Sequence, residues 1–138
     1  MGHEIAHAIA RHGAERMSQG MLVEFGGQAL SALTANQPEA ARALYGQAYG
    51  LGANLGVMLP YSRAHESEAD HIGLILMTKA GYDPGHALAF WRRMEAASGG
   101  AGTGSGLESF LRTHPTDVDR QRQIEEWLPE VRAKYGRP

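Results

Sequence analysis

The chain has 138 residues, 43% of them hydrophobic and 20% charged, which bounds it to an ordinary globular domain with a modest core. A net charge of −2 and a pI near 6.4 give no reason to expect a nucleic-acid partner, and the basic pairs Arg92-Arg93 and Arg120/Arg122 are interleaved with acids, as on a solvated face. Cysteine is absent, so there is no disulfide framework, and a metal would have to be held by histidine and carboxylate.

No run of about 18 apolar residues occurs, so no segment reads as a membrane span, and no signal peptide is visible. Residues 3–19 read as a first helix, with Ile5, Ala6, Ile9 and Ala10 as an apolar stripe and Gly13 tolerated inside it. A second helical stretch covers about 20–35 and is broken by Asn36-Gln37-Pro38. Pro38 then suits the first position of a helix over 38–58, which Leu59-Pro60 ends. Residues 62–80 form the next helix, with Leu74, Ile75 and Met77 apolar and Gly81 as its C′ residue. Asp83-Pro84 predicts a cap and first turn for a helix through about Ala97, whose Phe90, Trp91 and Met94 are core candidates. Residues 98–106 are a flexible glycine-rich loop, after which Thr116 caps a helix to about Leu128 and Pro129 starts a last short turn. The pattern predicts a mainly α single domain over residues 1–138, with no strand and no internal repeat.

The chemistry is concentrated at the start. His3-Glu4-x-x-His7 puts two histidines at i and i+4 of a helix, about 40° apart around its axis, so both imidazoles can reach one ion. Glu4, between them in sequence, is placed to touch a water on that ion rather than the ion. This is the zinc-peptidase pattern of two imidazole ligands and a carboxylate base. A catalytic zinc takes a third protein ligand. Ala10 and Gly13 stand where a metzincin would carry a glycine and a third histidine, which excludes that class.

The segment Ser62-Arg-Ala-His-Glu66-Ser-Glu68-Ala-Asp70-His71 offers a ligand from a separate helix. Glu66 and Asp70 share one face, so Glu66 can bind the metal while Asp70 reaches the outer N–H of a ligand imidazole and fixes its tautomer. Glu68, about 200° from Glu66 around the axis, should point to solvent. His65 and His71 read as neighbours rather than ligands. His12, about 140° from His7, reads as an exposed or capping histidine.

In chain order, His-Glu-x-x-His, Ser-Arg-x-x-Glu-x-Glu-Ala-Asp, Gly-Tyr-Asp-Pro and His-Pro resemble the gluzincin metallopeptidases of the HtpX, Oma and CAAX-prenyl-protease family, with the soluble periplasmic BepA-like branch the nearest likeness. The resemblance runs from Gly2 to about Leu128. It implies a zincin-like helical core, one Zn2+ per chain, His3, His7 and Glu66 as ligands, Glu4 as general base, and Asp70 supporting His3. It also implies an endopeptidase that hydrolyses unfolded or misassembled protein, a bacterial periplasmic or cell-envelope location, and membrane-associated partners for the parent protein.

By spacing, His114 is a lone loop histidine and Arg120 a helix-surface arginine. By resemblance both approach the active site, where they would contact substrate carbonyls or the developing oxyanion, and His114 could instead become a fourth ligand that keeps the site latent. Family members also carry a strand and a helix ahead of the zinc helix, the strand pairing with extended substrate. With the first ligand at residue 3, the chain reads as truncated and lacking that strand. A latched or truncated zinc module that binds proteins without cutting them is therefore the alternative function, and a homodimer could cover the apolar surface left open.

Overall fold

The computed structural model describes residues 1–98 and 118–136. The described residues form helices and turns with no strand, as the mainly α expectation requires. The order is α1 (Gly2–Ile9), α2 (His12–Leu33), α3 (Glu39–Ala53), a π-helical turn (Asn54–Met58), α4 (Leu59–Lys79), α5 (Gly85–Ser98) and α6 (Val118–Tyr135). No described helix is long and apolar enough to cross a membrane. The glycine-rich loop and the Thr116 cap fall outside the described residues, apart from the end of α5.

Three boundaries differ from the sequence reading. The first helix stops at Ile9, and Arg11 takes φ 59°, ψ 30° before α2 begins, with the Ala14 and Glu15 N–H groups donating to the Arg11 carbonyl. Gly13 thus lies in the first turn of α2, not inside the first helix. Leu59-Pro60 does not end a helix either: helical backbone runs from α3 through the π-helical turn into α4, with Leu59 at φ −67° and ψ −47°, and Pro60 lies just after that turn. Pro129 lies within α6, which continues to Tyr135.

The chain divides into two compact units. The first comprises Met1–Ala6 and Glu66–Pro138. Its core is Leu74 of α4, Leu88 and Trp91 of α5, and Ile124, Leu128 and Val131 of α6, flanked by Ile75, Met94 and Trp127. Here α4 ends as expected: Gly81 has φ 87°, its N–H donates to the Thr78 carbonyl, and the Tyr82 N–H donates to that of Met77. Asp83 then accepts from the Gly85 N–H at 2.9 Å and from Arg132 at 2.7 Å, capping α5 and tying it to α6. The expected apolar stripe of α1 is corrected. Ile5 and Ile9 are exposed and Ala6 is buried, while a Cβ at Gly2 would meet the Gly73 carbonyl of α4 at 2.9 Å, so α4 leaves no room for a side chain there. Phe90 is 41% exposed, leaving Trp91 as the aromatic that fills the core from α5.

The second unit, His7–His65, holds α2, α3, the π-helical turn and the first turns of α4. The Tyr49 hydroxyl donates to the Val23 carbonyl at 2.7 Å and links α3 to α2, while Arg16 donates to Ser62. Its apolar side chains, Leu22, Phe25, Leu51 and Leu55 among them, remain exposed, and the residues it buries are two histidines, His12 and His65.

Candidate metal centre

The site is built around His3. Its ring lies between two carboxylates from one face of α4, as the i, i+4 spacing of Glu66 and Asp70 dictates. His3 Nδ1–H donates to Asp70 Oδ1 at 2.8 Å, and His3 Nε2 lies 3.3 Å from Glu66 Oε2. Both carboxylate side chains are 3% exposed and that of His3 is 14% exposed. The ring is further fixed by Trp91, which meets it edge-on with centroids 5.7 Å apart. One nitrogen is thus occupied by a carboxylate acceptor, and the other is turned toward Glu66.

Two buried carboxylates this close need a cation. Arg120 supplies it from α6. Its Nε and one terminal nitrogen donate to the two Asp70 oxygens at 2.9 and 3.0 Å, and its other terminal nitrogen lies 3.1 Å from Glu66 Oε2. The guanidinium plane also covers Trp91, 4.3 Å from the ring centroid. Arg120 is only 7% exposed, so the helix-surface reading is corrected, and its fork is spent on Asp70 and Glu66 rather than held out toward solvent. The resemblance brings Arg120 toward the active site, but helix spacing gives no sign that its partners are Asp70 and Glu66, because residues 70 and 120 are joined only through tertiary packing.

The electrostatics of His3 follow from its partners. Burial pulls its pKa down, but the hydrogen bonds to Asp70 and Glu66 and the charges of both carboxylates outweigh burial and raise it from the usual 6.5 to about 9.

Glu4 lies on the exposed side of α1 and, with His3, Asp70, Met77, Phe90 and Trp91, lines a cavity of about 290 Å3. His7 is one turn after His3 on the same helix. One ligand atom from each of His3, His7 and Glu66 lies within 4.8 Å of the other two, the group among the described residues that could hold a metal ion. This donor set, two imidazoles and a carboxylate with no thiolate, fits zinc. Glu68 is exposed, as expected. His71 stacks on Trp127 with centroids 4.6 Å apart, a packing role. His114 lies outside the described residues.

One residue is placed quite differently from the sequence reading. His12 is buried, not exposed, and its Nδ1 lies 2.9 Å from Nδ1 of His7. A continuous helix would have turned it away; the left-handed residue Arg11 breaks the helix between the two and brings the rings together. The break has no sequence signal, since arginine does not favour positive φ.

The sequence pattern of peptidase family M48 matches residues 1–128. The chain is similar to the mitochondrial metalloendopeptidase OMA1 of Schizosaccharomyces pombe, 42% identical over 134 residues that make up 97% of this chain and 36% of that protein. It is similar also to the mitochondrial metalloendopeptidase OMA1 of Bos taurus, 38% identical over 135 residues, 95% of this chain and 25% of that one. A relative in Vibrio cholerae, 32% identical over 126 residues that cover 87% of this chain and 25% of its own, carries the name of a beta-barrel assembly-enhancing protease. The chain therefore spans between a quarter and little more than a third of the length of these relatives. No solved structure matches it significantly. The expected bacterial periplasmic location is corrected by these findings, because relatives in two yeasts, cattle, human and Arabidopsis thaliana are mitochondrial by name.

Proposed function

This chain belongs to peptidase family M48, and on that premise we propose that it carries a zinc-dependent endopeptidase site in which His3, His7 and Glu66 hold one metal ion and Glu4 is the general base. The observation that carries this reading is His3 itself. Its Nδ1–H is held by Asp70 while Nε2 faces the Glu66 carboxylate, which is how a ligand imidazole is oriented by an outer carboxylate. The names of the OMA1 relatives support a mitochondrial setting and an endopeptidase activity on protein substrates. The family resemblance favours unfolded or misassembled chains among them.

A zinc ion held there would supply Lewis acidity, bringing the pKa of a water toward about 7 and polarising the scissile carbonyl. The chain's own residues do the rest. Glu4 takes a proton from the attacking water, and its exposed position beside the cavity leaves it reachable by an extended peptide. The same carboxyl returns that proton to the amide nitrogen as the C–N bond breaks, so water and peptide become a carboxylic acid and an amine. Asp70 keeps the His3 proton on Nδ1 and its Nε2 lone pair available. Arg120 balances the charge of Asp70 and Glu66 and holds both in place from behind.

The test is cleavage of casein by the zinc-loaded chain beside its Glu4→Gln variant, with metal content measured in both. Cleavage by the first alone, with equal zinc in each, supports the peptidase. Zinc in both and cleavage in neither supports the alternative of a zinc module that binds without hydrolysis. Loss of zinc in Glu4→Gln would refute its assignment as a base, and failure of both proteins to take up zinc would overturn the site.

A further inference from the structure

We propose that His12 is the positioning residue for His7, holding the second histidine of the motif in the tautomer that can bind metal, and that His65 and Glu15 hold His12 in turn. The inference rests on the reading of His7 as a ligand. The two Nδ1 atoms are 2.9 Å apart, so one ring must donate and the other accept. With Nδ1 of His7 turned to His12, only its Nε2 is left for a metal, and that nitrogen needs its lone pair free. The proton of His7 must then sit on Nδ1 and be donated to His12, whose own proton lies on Nε2. Donation in the opposite sense would put the His7 proton on Nε2 and block the ligand.

The surroundings are those of a fixed support. His12 is 5% exposed, and its ring stacks on that of His65 with centroids 4.3 Å apart and an interplanar angle of 14°. His65 is 6% exposed, and its Nε2–H donates to Glu15 Oε2 at 2.7 Å. Glu15 lies one turn beyond His12 on α2, so the helix that presents His12 also anchors the ring against which it stacks. The left-handed conformation of Arg11 is what turns α2 so that His12 meets His7. The two motif histidines thus have different outer partners. His3 donates to a charged carboxylate, while His7 donates to a neutral ring, which orients it and selects its tautomer while adding no charge.

The test measures zinc affinity of the full chain by competition with a chromophoric chelator, and the visible spectrum of the cobalt(II)-loaded protein. His12→Phe keeps a ring against His65 but cannot accept a hydrogen bond, whereas His12→Asn loses the stack but keeps an acceptor. Positioning predicts that His12→Phe binds zinc about 10–100-fold more weakly with an altered cobalt spectrum, and that His12→Asn recovers most of the affinity. A purely packing role predicts the reverse order, with Phe the milder change. That order, or wild-type affinity in His12→Phe, would overturn the proposal. His7→Ala separates the two levels: if it too leaves zinc affinity unchanged, the reading of His7 as a ligand fails, and not only the role of His12. If His12→Phe does not fold by circular dichroism, His12→Met takes its place with the same expected loss.

Discussion

Gly73 lies so close to the start of α1 that a Cβ added to it would sit 3.0 Å from the amide nitrogen of His3. The atoms it would meet are all backbone, Gly2 C and His3 Cα among them, so no side-chain rotation could make room. That close crossing brings Asp70, one turn before Gly73 on α4, within hydrogen-bond reach of the His3 ring.

Gly73→Ala is therefore expected to force α1 and α4 apart. Overpacking of this kind costs about 1–3 kcal/mol, to be read as a lower midpoint in urea unfolding of the zinc-free protein. Zinc affinity should fall with it, because His3 moves relative to Glu66. An unchanged midpoint with unchanged affinity would show that the crossing tolerates a methyl group.

Arg120→Leu leaves Asp70 and Glu66 buried without the guanidinium they share. Breaking a buried pair by removing one partner costs about 3–5 kcal/mol, well above the effect of losing an exposed arginine. Arg120→Lys should fall between, since an ammonium keeps the charge but cannot span both carboxylates with a planar fork. Denaturant unfolding of the three zinc-free proteins orders them; equal stability of Leu and wild type would contradict the pairing.

Asp70→Asn retains an acceptor for the His3 N–H but removes the charge that raises its basicity. Zinc binding is expected to weaken about 10–100-fold while the fold survives, as measured by chelator competition. Helicity by circular dichroism should not change. A variant that binds zinc as wild type does would leave Asp70 a structural partner of Arg120 only.

The raised His3 pKa fixes a pH dependence for the zinc-free protein. The folded value of about 9 exceeds the ordinary 6.5, so the folded state holds the proton more tightly than the unfolded chain. Its contribution to stability is fully present below about pH 6.5 and is lost as pH rises toward 9. The expected outcome is a melting temperature that declines over that window in wild type and much less in His3→Gln. Zinc loading at pH 7.5 should also release this proton, detectable with an indicator dye in weak buffer.

Much of the local architecture was readable because it rests on short-range rules. The i, i+4 spacing of His3 and His7 and of Glu66 and Asp70 places each pair on one side of a helix whatever surrounds it. The Gly81 cap and the Asp83-Pro84 start depend on backbone conformations that glycine and proline favour in any context. Other expectations failed where one element decided the face of another. Ile5 and Ile9 fit a core stripe by spacing, but it is Ala6 that is buried, and the crossing at Gly73 has no room for a side chain at residue 2.

The motif residues, their spacing and the mainly α character needed nothing beyond the order of amino acids, since each follows from helix periodicity and side-chain chemistry. Tertiary structure decided the partners that helix spacing does not encode. Arg120 stands 50 residues from Asp70 in sequence, and no periodicity joins them. His12 was misread for a related reason: a helix breaks at Arg11, where the residue type does not ask for it, and a five-residue separation that should point two rings apart brings them together. Long-range packing can hold a backbone in a conformation that local preference disfavours, and both the cation behind the carboxylates and the support beneath His7 depend on packing of that kind.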